Sequence, residues 1–290
     1  MRYITPRMII PRRILQLLLL LLIPLGLTSQ ESMLTLARNG SGEEIRAALE
    51  RGASVSGRDV FGWTPLMLAA KWNDDPSVHR VLIGRGARIN AVSRDGWTPL
   101  LAAARWNPDP EVLRLLLEAG ADSEARSEEG WTPLHWAAVG GRPDAVTVLL
   151  QAGAPIDAED QNGWTPLMLA GLSRNERIME QLLAAGASVE RQDNFGRTAL
   201  MRAAQNPNLA VTDALLRAGA SVRAQDTLGR TPLFWAARYN DNPAVLQRLM
   251  EAGSDLRHRD EANNTVWDLL RENEALLGTA PYERIRRLFE

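Results

Sequence analysis

The sequence contains no cysteine and only one lysine, Lys71. The missing cysteine excludes disulfide bonds, a thiolate nucleophile and cysteine-ligated metal centres. With a single lysine, nearly all basic charge is carried by arginine, which we interpret first as a coding bias. Hydrophobic residues make up 45% and charged residues 23% of the chain, so enough apolar side chains are present for a continuous core.

Motifs for catalysis and metal binding are also absent. The three histidines, His79, His135 and His258, share no spacing typical of metal ligands. No nucleophile elbow, phosphate loop or zinc-binding helix motif occurs. Several aspartates could be taken for a carboxylate cluster but are better explained as helix N-caps and turn residues: Asp74, Asp75, Asp144, Asp157 and Asp160. We therefore predict a protein without enzymatic activity, metal or cofactor.

Residues 1–29 differ from the rest of the chain. Four arginines (Arg2, Arg7, Arg12 and Arg13) precede an apolar span from residue 14 to residue 27, and small polar residues follow. This order is typical of a secretory signal peptide. The span is shorter than the ~20 residues that a membrane-spanning helix needs. We predict export with cleavage near residues 27–31; an uncleaved N-terminal membrane anchor is the alternative.

The charge of the mature chain is the next constraint. Without the four signal arginines, 29 of the 33 basic residues remain against 35 acidic ones, which gives a net charge of −6. A nucleic-acid-binding protein usually carries a basic stripe, so we predict no nucleic-acid partner. After signal cleavage we also expect no membrane association.

A ten-residue stretch at 130–139, G-W-T-P-L-H-W-A-A-V, recurs along the chain. Close copies begin at Gly62, Gly96 and Gly163, looser ones at Gly196 and Gly229, and a degraded one at residue 263. The copies are marked by threonines spaced 33 or 34 residues apart: Thr64, Thr98, Thr132, Thr165, Thr198, Thr231 and Thr265. This period and signature resemble those of ankyrin repeats.

The resemblance implies an all-α solenoid of stacked helix pairs joined by short β-hairpin-like turns. In each repeat the threonine is the expected N-cap of a first helix, and proline follows at its first position. Glycine is expected to end the second helix in a left-handed conformation. We predict a capping repeat at 30–58, six repeats within 59–260 and a second capping repeat at 261–290. Repeats one to six start at residues 59, 93, 127, 160, 193 and 226.

Two features depart from the family pattern. In repeats one, two and six the connection between the two helices is one residue longer, and Asp75, Asp109 and Asn242 are the predicted N-caps after it. These longer loops either shape the rim of the array or reflect neutral drift. The histidine of the family's T-P-L-H motif is kept only at His135, so most of the usual threonine–histidine hydrogen bonds are absent.

By the same resemblance, ligands bind to the groove formed by the turn tips and first helices. Tryptophan, tyrosine and arginine, which are enriched at binding hot spots, occupy positions that face this groove. After the turn glycine stand Trp63, Trp97, Trp131, Trp164, Arg197 and Arg230; after the Ala-Ala pair stand Trp72, Trp106 and Tyr239. An alternative is that these rings only pack on neighbouring repeats. Trp136 and Trp235 are predicted to be core residues.

The order of these residues also predicts a direction for the ligand. Four tryptophans precede two arginines, so an apolar segment is expected over the N-terminal repeats. Carboxylates or phosphates are then expected near Arg197 and Arg230, because the planar guanidinium suits such anions.

The signal peptide and the single array together look like those of bacterial periplasmic or secreted ankyrin proteins. We therefore predict an exported, monomeric, non-catalytic protein that binds a protein or peptide in its groove. Two alternatives stay open: a binder of glycans or small molecules that uses the tryptophan ladder, and an inhibitor or regulator of an enzyme in the cell envelope.

Overall fold

The computed structural model describes residues 29–173 and 175–290. Apart from Ser29, the predicted signal peptide lies outside the described residues. Within them the chain forms sixteen α-helices and one 3₁₀-helix, with no β-strand. The N-terminal pair consists of α1 (Ser29–Asn39) and α2 (Gly42–Glu50).

Six helix pairs follow, one in each repeat. In chain order they are α3 (Pro65–Trp72) and α4 (Pro76–Gly84), α5 (Pro99–Trp106) and α6 (Pro110–Glu118), α7 (Pro133–Val139) and α8 (Pro143–Gln151), α9 (Pro166–Leu172) and α10 (Glu176–Ala184), α11 (Ala199–Ala203) and α12 (Leu209–Arg217), and α13 (Pro232–Tyr239) and α14 (Pro243–Glu251). The chain ends with α15 (Val266–Leu270), the 3₁₀-helix Glu274–Leu276 and α16 (Ala280–Phe289).

The helix pairs stack in two parallel layers. Each first helix packs against the first helix of the next repeat, and each second helix packs against the next second helix. The buried side chains form one continuous hydrophobic core from Met33 to Ile285. This confirms the predicted all-α solenoid, in which a repeat buries its apolar side chains only against its neighbours.

The repeat signature determines where each helix begins and ends. The hydroxyl oxygen of Thr64 accepts a hydrogen bond from the backbone N–H of Met67 at 3.3 Å, and Pro65 occupies the first helical position, as predicted. At the other end of a repeat, Gly120 adopts a φ of 88° after α6, and the N–H of Ala121 donates to the carbonyl of Leu116. This left-handed residue ends the second helix.

The turns between repeats form a row of tips that are linked to one another. In the first tip, one carboxylate oxygen of Asp59 accepts from the N–H groups of Phe61 and Trp63, both at 2.9 Å. The N–H of Arg94 in the next tip donates to the carbonyl of Phe61 at 3.0 Å. Single backbone bonds of this kind connect successive tips without building a strand.

An asparagine after the first helix ties most repeats to the one before. Its side-chain Nδ2 donates to two backbone carbonyls of the preceding repeat; for Asn107 these are the carbonyls of Ala70 and Asn73, at 3.0 and 2.9 Å. We call this set the asparagine ladder. It consists of Asn73, Asn107, Asn206, Asn240 and Asn273.

The ladder is interrupted in repeats three and four. In repeat three the guanidinium of Arg142 takes the place of the asparagine and donates to the carbonyls of Trp106 and Asn107. Repeat four has Ser173 at the ladder position, and near it Asn175 Nδ2 donates to the carbonyl of Gly141 in repeat three at 3.4 Å. A shallow groove opens at this junction beside Val139 and Leu172.

The longer loops are well specified. The side chains of Asp75, Asp109 and Asn242 accept from the N–H group two residues later, at 2.8, 2.9 and 3.0 Å. All three are the N-caps that the sequence predicts.

Candidate binding face

Five tryptophans from repeats one to three form a continuous cluster. The Trp97 ring lies 4.4 Å from Trp106 and 5.1 Å from Trp136, measured between ring centroids. Trp131 contacts Trp136 at 4.3 Å, and Trp63 contacts Trp97 at 6.3 Å. We call these five residues the tryptophan cluster. Tilted ring pairs at such distances are favourable contacts, so the cluster links three repeats.

The cluster is partly core and partly surface. Trp63 and Trp136 are each only 7% exposed, which agrees with the core position predicted for Trp136. Trp97, Trp106 and Trp131 are half-buried and keep part of their rings accessible to solvent. The neighbouring Trp72 is 59% exposed. Packing and surface roles are therefore combined in one group of rings.

Two cations lie over this cluster. The Lys71 Nζ is 4.1 Å from the Trp106 ring centroid and 4.9 Å from both Trp63 and Trp72. The Arg105 guanidinium is 4.0 Å from the Trp136 ring and 4.8 Å from Trp106. All five distances fit cation–π contacts. These residues occupy the same position in repeats one and two.

Burial makes both positive charges less favourable. The pKa of Lys71 is lowered, first because its ammonium is partly removed from water and then because Arg105 repels it. Desolvation also lowers the pKa of Arg105. Asp95 and Glu129 act in the opposite direction. Their carboxylates are hydrogen-bonded within their own turns, by Ser93 at 2.6 Å and Ser127 at 2.7 Å.

The arginines of repeat five are differently placed. Arg202 lies with its guanidinium 3.9 Å above the Trp164 ring, and Arg197 lies 6.0 Å from the same ring. Both bind one oxygen of the buried Asp193, at 2.7 and 2.8 Å. Asp193 thus offsets part of the positive charge that the two arginines bring to this site.

Repeat six has a similar arrangement. Arg230 binds Asp226 at 2.9 Å and lies 4.5 Å from the ring of the buried Trp235, whose Nε1 also donates to Asp226. Tyr239 stacks on Trp235 at 5.5 Å and is 51% exposed. The two arginines predicted to meet an anionic ligand, Arg197 and Arg230, therefore already have carboxylate partners.

The sequence comparisons agree with this geometry. A family model described as ankyrin repeats (3 copies) matches residues 33–127, 66–160, 109–193 and 173–260. The chain belongs to the ankyrin-repeat family. Ankyrin repeats generally mediate protein–protein interaction, and ankyrin-repeat proteins are typically not enzymes. No curated protein shows significant similarity to this one.

The histidines of the ankyrin array are structural. The Thr132 hydroxyl and His135 Nδ1 are 2.8 Å apart, as the family motif predicts, and His135 Nε2 lies 2.9 Å from the Trp164 carbonyl. His79 is fully buried on α4, the second helix of repeat one. Burial lowers the pKa of both His79 and His135. Among the described residues no three potential ligands are grouped to hold a metal ion.

Sequence reasoning missed the most distinctive part of this face. The sequence gives Lys71 no distinguishing neighbourhood, and only its position above three rings shows its chemical setting. The ion pairs of Arg197 with Asp193 and of Arg230 with Asp226 could have been predicted from the sequence, since each aspartate stands four residues before its arginine. No helix in the described part of the chain has the length and apolar character required to cross a bilayer.

Proposed function

We propose that this ankyrin protein binds a protein or peptide partner on the face built by the tryptophan cluster and Trp72. The observation that carries the proposal is the partial exposure of Trp97, Trp106 and Trp131 beside the 59% exposed Trp72. Tryptophan supplies large, rigid contact area, and binding hot spots are enriched in it. Contacts between the rings hold them in place before a partner arrives, which reduces the entropy cost of binding.

We further propose that the role is non-catalytic and is carried out after export, by a monomer. Export rests on the basic and apolar pattern of residues 1–29, which lies almost entirely outside the described residues. The absence of a catalytic motif in the sequence supports a binding role. A periplasmic or secreted location follows from the same N-terminal pattern.

Affinity capture with the mature chain, followed by mass spectrometry and titration of the purified partner, tests the binding proposal. Trp106→Ala should weaken the complex by about 2 kcal/mol or more, as truncation of a hot spot does. Trp72→Ala should also weaken it, without lowering the melting temperature, because its ring is mostly exposed. Tyr239→Ala is the matched control, since Tyr239 holds the equivalent position in repeat six.

Unchanged affinity in both tryptophan variants would show that the partner binds elsewhere and that the cluster only joins repeats. Loss of binding in Tyr239→Ala alone would move the interface to repeat six. If the captured partner is an enzyme whose activity changes on binding, this protein is an inhibitor or regulator of that enzyme.

Glycan binding is the second function that the rings favour, because an exposed row of tryptophans can stack on sugars. Hydrogen exchange distinguishes the two ligands. A protein partner should protect a contiguous area of the turn tips and first helices, whereas an oligosaccharide should protect only the backbone around a few tryptophans.

A further inference from the structure

Lys71 and Arg105 are the cations of the binding face that lack a counter-ion. Among residues 29–173 and 175–290, neither has an ion-pair partner. The nearest acidic influences are Asp95 on Lys71 and Glu129 on Arg105, and both carboxylates are engaged by serine hydroxyls. Arg38 adds further positive potential at Lys71.

The contrast with repeats five and six is direct. There, Arg197, Arg202 and Arg230 lie against aromatic rings in a similar way, but each forms an ion pair with Asp193 or Asp226 at 2.7 to 2.9 Å. Repeat one keeps the equivalent aspartate, Asp59, but it pairs with Arg38 at 3.9 Å, and repeat two has Ser93 at this position. Two cations without an ion-pair partner therefore lie close together among the rings of repeats one and two, whereas the equivalent cation of repeat six, Arg238, is exposed beside the Tyr239 ring.

Both cations are close together and partly shielded from water. Each lies within 5 Å of the Trp106 ring, so their charged groups are no more than about 9 Å apart. Removing two like charges from water costs free energy, and a bound anion offsets that cost. Charge-assisted hydrogen bonds from ammonium and guanidinium groups to carboxylate are among the stronger polar contacts in proteins.

We infer that the partner presents an acidic peptide segment to this face, with carboxylates paired to Lys71 and Arg105 and apolar side chains packed on Trp72 and Trp106. The inference rests on the proposed binding function and specifies its ligand. An alternating acidic and apolar segment matches what the face offers, namely two unpaired cations among partly exposed rings. A membrane surface or a nucleic acid would need a more extended basic surface than these two cations provide.

The single lysine supplies a specific reporter. Reductive methylation with ¹³C-formaldehyde labels Lys71 and the α-amino group alone, and the dimethylated ammonium keeps its charge. The α-amino signal is an internal reference. The probes are a capped hexapeptide of alternating aspartate and leucine and the same peptide with asparagine in place of aspartate.

The acidic peptide should shift the Lys71 signal until the site is saturated. The asparagine peptide should bind more weakly, by about tenfold or more. Arg105→Gln should lower the affinity for the acidic peptide by about tenfold. The matched control is Arg238→Gln, at the equivalent position in repeat six, where Arg238 lies 5.5 Å from the Tyr239 ring. This control should bind like the unchanged protein, and circular dichroism establishes that both variants are folded.

Equal affinity for the two peptides, equal effects of Arg105→Gln and Arg238→Gln, or no saturable shift each overturn the inference. An oligosaccharide of uronic acids that binds more tightly than the acidic peptide also overturns it, in favour of an acidic glycan. If the binding of a captured partner requires Trp106 but not Arg105, the inference is rejected and the proposed function is kept. If its binding requires neither Trp106 nor Arg105, both the inference and the proposed function are rejected.

Discussion

The side-chain Nδ2 of Asn107 donates to the main-chain carbonyl of Asn73 at 2.9 Å, and Asn73 makes the same kind of bond to Gly40 one repeat earlier. Each amide also accepts from the backbone: Asn107 Oδ1 receives the N–H of Asp109 at 3.0 Å. A buried amide with all of these bonds satisfied specifies how one repeat sits on the next.

Asn107→Ala should therefore lower the free energy of unfolding by about 2 to 4 kcal/mol, because the carbonyls of Ala70 and Asn73 would be left without a partner in the interior. Urea titration measures the change. Asn194→Ala is the control: Asn194 also donates to a carbonyl of the preceding repeat, that of Gln161, but on the exposed turn tips. A similar loss in both variants would contradict the role assigned to the ladder.

Position along the array should determine the cost of a core truncation. Leu149 is fully buried between neighbouring second helices, so Leu149→Ala should cost about 2 to 5 kcal/mol. Leu288 is 43% exposed on the last helix, and Leu288→Ala should cost less and mainly fray that end. Equal losses in urea titration would show that the repeats do not depend on their neighbours in this way.

Stability should fall as the pH is lowered through the range of histidine titration. Burial lowers the pKa of His79 and His135 in the folded protein, while in the unfolded chain they titrate near 6.5. Below that value the unfolded state binds more protons, so their contribution is fully present above pH 6.5 and is lost as the pH falls. Urea titrations between about pH 7.5 and 5.5 should show this slope before most carboxylates titrate.

His79→Leu should make that slope shallower, because one of the two buried histidines is removed. The comparison is made against the variant's own stability at the upper pH, since the bond between His79 Nδ1 and the Asp75 carbonyl at 3.1 Å is lost as well. An unchanged slope would mean that other groups cause the pH dependence.

The mature protein should begin near residues 27–31. The four arginines and the apolar span before this point predict removal by a signal peptidase. Intact-mass measurement on protein from its native source gives the N-terminus. Recovery of the uncleaved chain in a membrane fraction would support the anchor, and recovery in the cytoplasm would reject export.

The fold could be read from the sequence because its signals are local and repeated. Thr64 and Gly120 each specify a helix end through their own backbone contacts, and the same residues recur every 33 or 34 positions. The asparagine ladder was less visible. Asn206 lies one residue nearer to its repeat's threonine than Asn107 does to its own, because the loops differ in length, and only the structure brings both to the same place.

The nine ligand-face residues stay a prediction, but the structure separates them by their surroundings. Whether a cation is available to a ligand depends on contacts between distant positions. Arg202 and Asp193 are nine residues apart in sequence and meet at 2.7 Å inside the array. No spacing rule in the sequence indicated this pair, and none indicated that Lys71 would lie over three rings from two repeats.

The interrupted ladder has a mechanical consequence. At the ladder position between repeats three and four, a 3.4 Å bond from Asn175 replaces the paired amide bonds found at most other junctions. Other bonds, such as those from Gln181 to Pro143 and Thr147, join the same two repeats at their second helices. We expect the loops at the ladder position to separate more easily here than at the other junctions, so that repeats four to six swing relative to the tryptophan cluster. Because the chain has no cysteine, spin labels can be placed at will. The pair Glu118→Cys with Ala184→Cys spans the junction and should give a broader distance distribution than Ala184→Cys with Glu251→Cys. Equal widths would mean that the array is uniformly stiff.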